Sequence, residues 1–81
     1  MKTFLIDVRS TQEFNEGHLQ GALNIPVYDI EHKIQSVTSN KESVIILYCQ
    51  AESRSIKAKK ILEKMGYTNV FILKNGLNRL K

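Results

Sequence analysis

VIILYCQAESRSIKAKKILEKMG, residues Val44 to Gly66, decides the fold. Val44, Ile45, Ile46, Leu47 and Tyr48 form an unbroken apolar run, the pattern of a strand covered on both faces in a parallel sheet. Downstream, Ala58, Ile61, Leu62 and Met65 recur at i, i+3, i+4 and i+7, which puts them on one helix face. Lys57, Lys59, Lys60, Glu63 and Lys64 fill the rest of that helix, and Gly66 suits its C-terminal stop. The only cysteine, Cys49, therefore lies between the carboxyl end of a strand and the N-terminus of a helix. Unpaired backbone N–H groups and the helix dipole both favour an anion there. A thiolate is such an anion, so Cys49 is a candidate nucleophile. The alternative is a buried structural cysteine, common for a lone thiol.

The flanking sequence repeats the alternation. Thr3 to Val8 reads as a first strand. Ser10 and Glu13 have the S-x-x-E spacing of a capping box, which starts a helix over Thr11 to Glu16 that stops at Gly17. Ala22 to Ile25 is a short second strand halted by Pro26. Val27, Ile30, Ile34 and Val37 predict a helix over 27–37, and Thr38 to Ser43 is a polar connection. Thr68 to Leu73 is the last strand, Asn75-Gly76 a turn, and Leu77 to Lys81 the start of a helix with little length to finish. Strands alternating with helices indicate an α/β domain with a parallel sheet. Such sheets bind ligands beyond the carboxyl ends of their strands, where Cys49 sits.

Composition narrows the function. Eighty-one residues make one small domain, 1–81, with a thin core. One cysteine excludes an internal disulfide framework and a multi-cysteine metal site. No apolar run approaches the roughly 20 residues of a membrane span, so no membrane partner is expected. Asp7 and Arg9 interrupt what would be the apolar stretch of a signal peptide. A cytoplasmic location is therefore expected, with export left open if a leader was removed from a longer precursor. The net charge of +4 raises nucleic acid as a partner, but the lysines are scattered and no aromatic residue is interleaved with arginine. Attraction for small anions suits that charge better. A monomer is expected, since no long apolar stretch is left uncovered.

Three stretches resemble one family. LIDVRSTQEFNEGHLQGALNIP (5–26) resembles the N-terminal signature of rhodanese-like sulfurtransferases, YCQAESRS (48–55) their active-site loop, and MGYTNVFILKNGL (65–77) their closing segment. By size and spacing the chain resembles the small single-domain bacterial type, without the family's usual extra N-terminal strand. The resemblance implies a parallel sheet of about four strands flanked by helices on both faces. Its order would be last strand, Cys49 strand, first strand, second strand. It also implies a persulfide mechanism. Cys49 takes the outer sulfur of an anionic donor such as thiosulfate, and a thiophilic acceptor then removes it: cyanide, a thiol, or a thioredoxin-like protein. Gln50, Ala51, Glu52, Ser53 and Arg54 would form the substrate-binding cradle of N–H groups. No metal or organic cofactor is implied.

Two positions depart from the family pattern. Glu52 stands where the loop often has glycine, which tolerates unusual backbone angles and carries no charge. Either its carboxylate points to solvent or the donor is not thiosulfate, and on this charge argument Glu52→Gly would raise the thiosulfate rate. Asn75 replaces the first glycine of a Gly-Gly pair, and asparagine is the least costly substitute where φ is positive.

Other polar residues have a structural and a functional reading. Asp7 and Arg9 read as structural rather than as substrate ligands, Arg9 being spaced to pair with Glu13 and Asp7 to accept backbone N–H groups near the loop. His18 reads as an orienting hydrogen bonder rather than a proton carrier, His32 as inert surface, and Tyr48 as core. Arg54 either holds an anion at the lip of the loop or pairs with an acid such as Glu52. Ser53 and Ser55 either donate to the persulfide or cap the helix. Two rival functions remain. A phosphatase would need the longer C-x5-R loop of related folds, whereas Cys49 to Arg54 is C-x4-R. A sulfur carrier relaying persulfide between protein partners would begin with the same chemistry.

Overall fold

The computed structural model describes residues 2–80. Four strands, β1 (Thr3–Asp7), β2 (Leu23–Asn24), β3 (Val44–Tyr48) and β4 (Val70–Ile72), alternate with three helices, α1 (Thr11–Glu16), α2 (Ile30–Val37) and α3 (Ser53–Lys64). The sheet is parallel throughout, in the order β2-β1-β3-β4. That is the order the resemblance implied.

The capping box at Ser10 forms in full. The Glu13 amide donates to Ser10 Oγ at 3.2 Å, and the Ser10 amide donates to Glu13 Oε1 at 3.1 Å. Elsewhere the ends shift for local reasons. The helix expected over 27–37 opens with a 3₁₀ turn, Val27–Asp29, and becomes α-helical at Ile30. Pro26 is extended (φ −53°, ψ 147°), and the Val27 amide is spent on Val8 O at 3.0 Å, so the first turn closes tightly from Asp29 to Pro26 at 2.8 Å. The last strand begins at Val70 rather than Thr68, because the Thr68 amide donates to Lys41 O instead of to β3. The second strand shrinks to two residues because the Ala22 amide closes a turn onto Leu19 O. The closing helix is a 3₁₀ turn, Gly76–Leu80, and Lys81 lies outside the described residues.

The strand pleat sorts side chains onto two faces. Ile6, Val8, Ile45, Leu47 and Val70 join Ile30 and Ile34 of α2 and Ala58 and Leu62 of α3 in the main core. Each of the Ile, Leu and Val side chains contributes about 1.5–3 kcal/mol by burial, and Ala58 less. On the other face, Asp7 and Tyr48 are fully buried at the carboxyl end, where the loop after α1 covers them and Tyr48 Oη accepts from the Leu19 amide at 3.0 Å. Towards the amino end of that face, Leu5 and Ile46 are half-buried and Phe71 is 53% exposed. Helices thus serve both faces unequally, with α2 and α3 over one and the α1 segment over one end of the other.

This asymmetry predicts different costs for adjacent truncations in β3. Leu47→Ala should lower the unfolding free energy by about 3 kcal/mol, and Ile46→Ala by clearly less. Urea denaturation of the two variants measures the difference; equal losses would show that the two faces are equally packed.

Candidate active site

Three segments meet at the carboxyl end of β3. They are the loop 49–52 leading into α3, the junction of β1 with α1, and the turn 75–78. β3 is hydrogen-bonded on both sides up to its end, through Val8 N to Tyr48 O and Leu73 N to Leu47 O, each 2.9 Å. The chain then leaves the sheet at Cys49, and four residues later α3 begins with Glu52 as its N-cap.

Cys49 is 1% exposed. Its Sγ lies 3.7 Å from Ser55 Oγ, and that hydroxyl donates to Glu52 O at 2.7 Å. Ser55 is fully buried. The turn 75–78 grips the loop from the other side. The amide of Leu77 donates to Cys49 O at 3.0 Å and that of Asn78 to Gln50 O at 3.1 Å. A trans peptide points its N–H opposite to its C=O. Engaging these two carbonyls therefore turns the N–H groups of Gln50 and Ala51 away from the turn. Gly76 makes the close approach possible. It has φ +53°, and a Cβ there would overlap the carbonyl oxygens of Cys49 and Ala51. Asn75 has φ +67°, the positive value expected at that position.

The structure brings the expected site residues to one place but gives several of them different partners. Gln50 donates its side-chain amide to Asn78 Oδ1 at 2.8 Å, which leaves only its backbone facing the loop. Ala51 and Ser53 are exposed, and among the described contacts neither side chain reaches Sγ. Glu52 has a negative φ of −146°, outside the left-handed region that favours glycine, so the position needs no glycine. Its carboxylate is not free in solvent, because Oε2 accepts from the Asn75 amide at 2.9 Å. Arg54 pairs not with Glu52 but with Glu13, in a two-pronged contact of 2.6 and 3.0 Å. Ser55, outside the expected cradle of residues 50–54, is the side chain that touches the sulfur. It lies three positions before Ala58, so the periodicity of α3 already placed it on the buried face.

The expected pairing of Arg9 with Glu13 gives way to a closer one. The Arg9 guanidinium engages both oxygens of buried Asp7 (2.7–3.1 Å) and donates to Gly17 O at 2.6 Å, and its backbone amide also donates to Asp7 Oδ1. The hydrogen bonds to Asp7 raise the Arg9 pKa. Asp7 thus caps the end of β1 and serves the β1–α1 junction rather than the Cys49 loop. Tyr48 is core as expected, its phenol pKa raised chiefly by burial. His18 Nδ1 lies 2.9 Å from Phe14 O with its ring stacked on Phe14, in the orienting role expected of it. His32 is exposed. Among the described residues, no group of three or more His, Cys, Asp or Glu could hold a metal ion, and no helix is long and apolar enough to cross a membrane.

The rhodanese-like domain family matches residues 1–81. The chain belongs to the rhodanese-like family. The thiosulfate sulfurtransferase PspE of Escherichia coli (strain K12) is 40% identical over 65 residues, covering 80% of this chain and 62% of that protein. A solved structure described as a rhodanese with anions from E. coli superposes with a TM-score of 0.86 at 37% identity, covering 94% of this chain and 88% of that one. The Bacillus subtilis (strain 168) protein YrkF, provisionally named a sulfur carrier, is 29% identical over 73 residues, covering 90% of this chain and 38% of that protein. The chain therefore spans about three fifths of its E. coli sulfurtransferase relative and less of the carrier. The rhodanese-like fold and the sulfurtransferase family follow, with the loop after β3 at the position where open α/β sheets bind ligands.

Glu13 links the site to stability. Its hydrogen bond from Arg54, helped by those from Ser10, holds its carboxyl at about 2, below the ordinary 4.5. A depressed acid stabilises the fold above its unfolded pKa, and that contribution is lost as pH falls through the folded value. Glu13→Gln keeps an oxygen for the capping box but not the charge. Between about pH 4.5 and pH 2, the native protein should lose more stability than Glu13→Gln in urea titrations. Parallel curves would mean that the ion pair contributes nothing.

Proposed function

We propose that Cys49 is the nucleophile of a sulfurtransferase that carries sulfane sulfur as a persulfide. The observation that supports this most is the setting of Sγ. It lies at the end of β3, against Ser55 Oγ at 3.7 Å, beneath a loop whose Cys49 and Gln50 carbonyls are tied outward. The N–H groups of Gln50 and Ala51 are thereby free to face an anion at the sulfur.

The reaction proceeds in two displacements. Cys49 thiolate attacks the outer sulfur of thiosulfate. The Sγ–S bond forms, the donor's S–S bond breaks, and sulfite leaves with the electron pair. The persulfide then bears the negative charge, next to Ser55 Oγ. A thiophilic acceptor, cyanide or a thiolate, attacks the outer sulfur and releases Cys49 thiolate. Sulfite leaves as a stable anion that needs no proton, so its departure does not call on His18, whose ring faces Phe14 O. No metal or organic cofactor takes part.

A second reading is favoured by a specific observation. Arg54 is held by Glu13 through both of its terminal nitrogens, so it does not stand free to clamp a dianion. That suits a persulfide delivered by a protein donor and passed to a protein thiol such as a thioredoxin-like one. The similarity to a provisionally named sulfur carrier points the same way. Phosphatase activity is not proposed, since a C-x4-R ring is one residue short for an oxyanion with three equatorial oxygens.

Intact mass after incubation with thiosulfate separates these readings. The native chain should gain one sulfur, about 32 Da, lose it to cyanide or a reducing thiol, and show no gain as Cys49→Ala. A gain seen only with a protein persulfide donor would favour the relay, and no gain with either donor would overturn the proposal.

A further inference from the structure

We infer that Glu52 is a positioning residue, whose carboxylate fixes the outer half of the Cys49 loop against the turn 75–78. The inference rests on the sulfurtransferase reading for its kinetic consequence but not for its geometry.

The loop and the turn are joined at successive points. At Cys49 and Gln50 the links are backbone hydrogen bonds to the amides of Leu77 and Asn78. The Gln50 side chain adds a bond to Asn78 Oδ1. At Glu52 the link is the side chain alone, through Oε2 to the Asn75 amide at 2.9 Å. The Asn75 amide belongs to a residue with φ +67°, at the start of the turn whose next residue, Gly76, packs on the Cys49 and Ala51 carbonyls. The carboxylate makes no capping bond within α3 and instead ties the N-cap residue of that helix to the entry of the turn.

The same residue reaches the sulfur by its backbone. Glu52 O accepts from Ser55 Oγ at 2.7 Å and from the Ile56 amide at 2.9 Å, and Ser55 Oγ is the hydroxyl beside Sγ. A shift of the Glu52 peptide moves the acceptor that orients this hydroxyl. It also moves the Ser53 N–H, which shares that peptide plane. The charge of Glu52 is turned onto an amide of the turn, where an anion is stabilised by hydrogen bonding. The family's more usual glycine cannot make this link. In this chain, then, Glu52 supports the loop, and its removal should slow transfer rather than speed it.

Two variants separate the acceptor from the charge. Glu52→Gln keeps an oxygen for the Asn75 amide, and Glu52→Ala removes it. With thiosulfate and cyanide, Glu52→Gln should stay within about twofold of the native kcat, and Glu52→Ala should lose about tenfold in kcat with KM changed less than about threefold. Because Cys49 is the only cysteine, its alkylation by iodoacetamide reads the loop whatever the sulfur donor. Alkylation should be several-fold faster in Glu52→Ala and unchanged in Glu52→Gln. Native alkylation and transfer rates in Glu52→Ala would overturn the inference, as would equal impairment of both variants, which would assign the effect to charge. If the native chain accepts no sulfur from thiosulfate, the function proposed above fails for that donor, while the alkylation comparison still decides the role of Glu52.

Discussion

β3 is hydrogen-bonded to a parallel strand on each side, and the rest of the chain is arranged around that fact. Its register pairs Thr3 to Asp7 on one edge with Val44 to Tyr48, and Val70 to Ile72 on the other with Ile45 to Leu47. A central parallel strand cannot hand the chain to its neighbour through a hairpin, so it must be followed by a crossover. That crossover is α3, and its apolar face is the one that packs beside Ile45 and Leu47. The position of Cys49 follows from this arrangement. It is the first residue beyond the last paired one, and a short loop separates it from the helix that the crossover requires.

A strand-to-helix loop of this kind leaves carbonyls that neither element can satisfy. Cys49 O and Gln50 O would be such groups. The amides of Leu77 and Asn78, from the far side of β4, take both. The site is thus completed by a segment that belongs to neither β3 nor α3, and Gly76 is what lets that segment approach so closely. The same contacts orient the loop peptides, because fixing a carbonyl in a trans peptide fixes its N–H on the opposite side. Packing at the turn and the direction of the loop N–H groups beside Cys49 are therefore one constraint.

Much of this was legible in the sequence. The apolar run of β3, the 3–4 periodicity of α3 and the capping box at Ser10 are local patterns, and they gave the elements to within a few residues. The strand order came from the resemblance and holds. Pairings between side chains far apart in the chain were not legible. Arg54 and Glu13 are separated by 41 positions, and Glu52 and Asn75 by 23. Spacing suggested nearer acids, Glu13 for Arg9 and Glu52 for Arg54. The fold instead gave Arg9 to Asp7, which sits beside it at the end of β1, and brought α1 across to Arg54. Local spacing identifies residues that can meet in a helix, but here the carboxyl ends of β1 and β3 decide which ones do.

The Glu13–Arg54 pair shows how the helix starts themselves settle the electrostatics of the site. An acidic residue in the first turn of α1 is well placed towards that helix's dipole, and Glu13 is also held by Ser10. The first turn of α3 carries no acid, and its Arg54 puts a cation where the dipole disfavours one. Glu13 offsets this from the neighbouring helix, and its hydrogen bond raises the Arg54 pKa. The guanidinium is then already matched by a carboxylate, and a donor anion would have to compete with a two-pronged contact to recruit it. The Ser55 hydroxyl proton is already donated to Glu52 O. On the proposed function, selection of an anion at Cys49 would then fall to the backbone N–H groups of the loop. These are neutral, fixed in direction by the hydrogen bonds of their own peptides, and suited to a single sulfur atom.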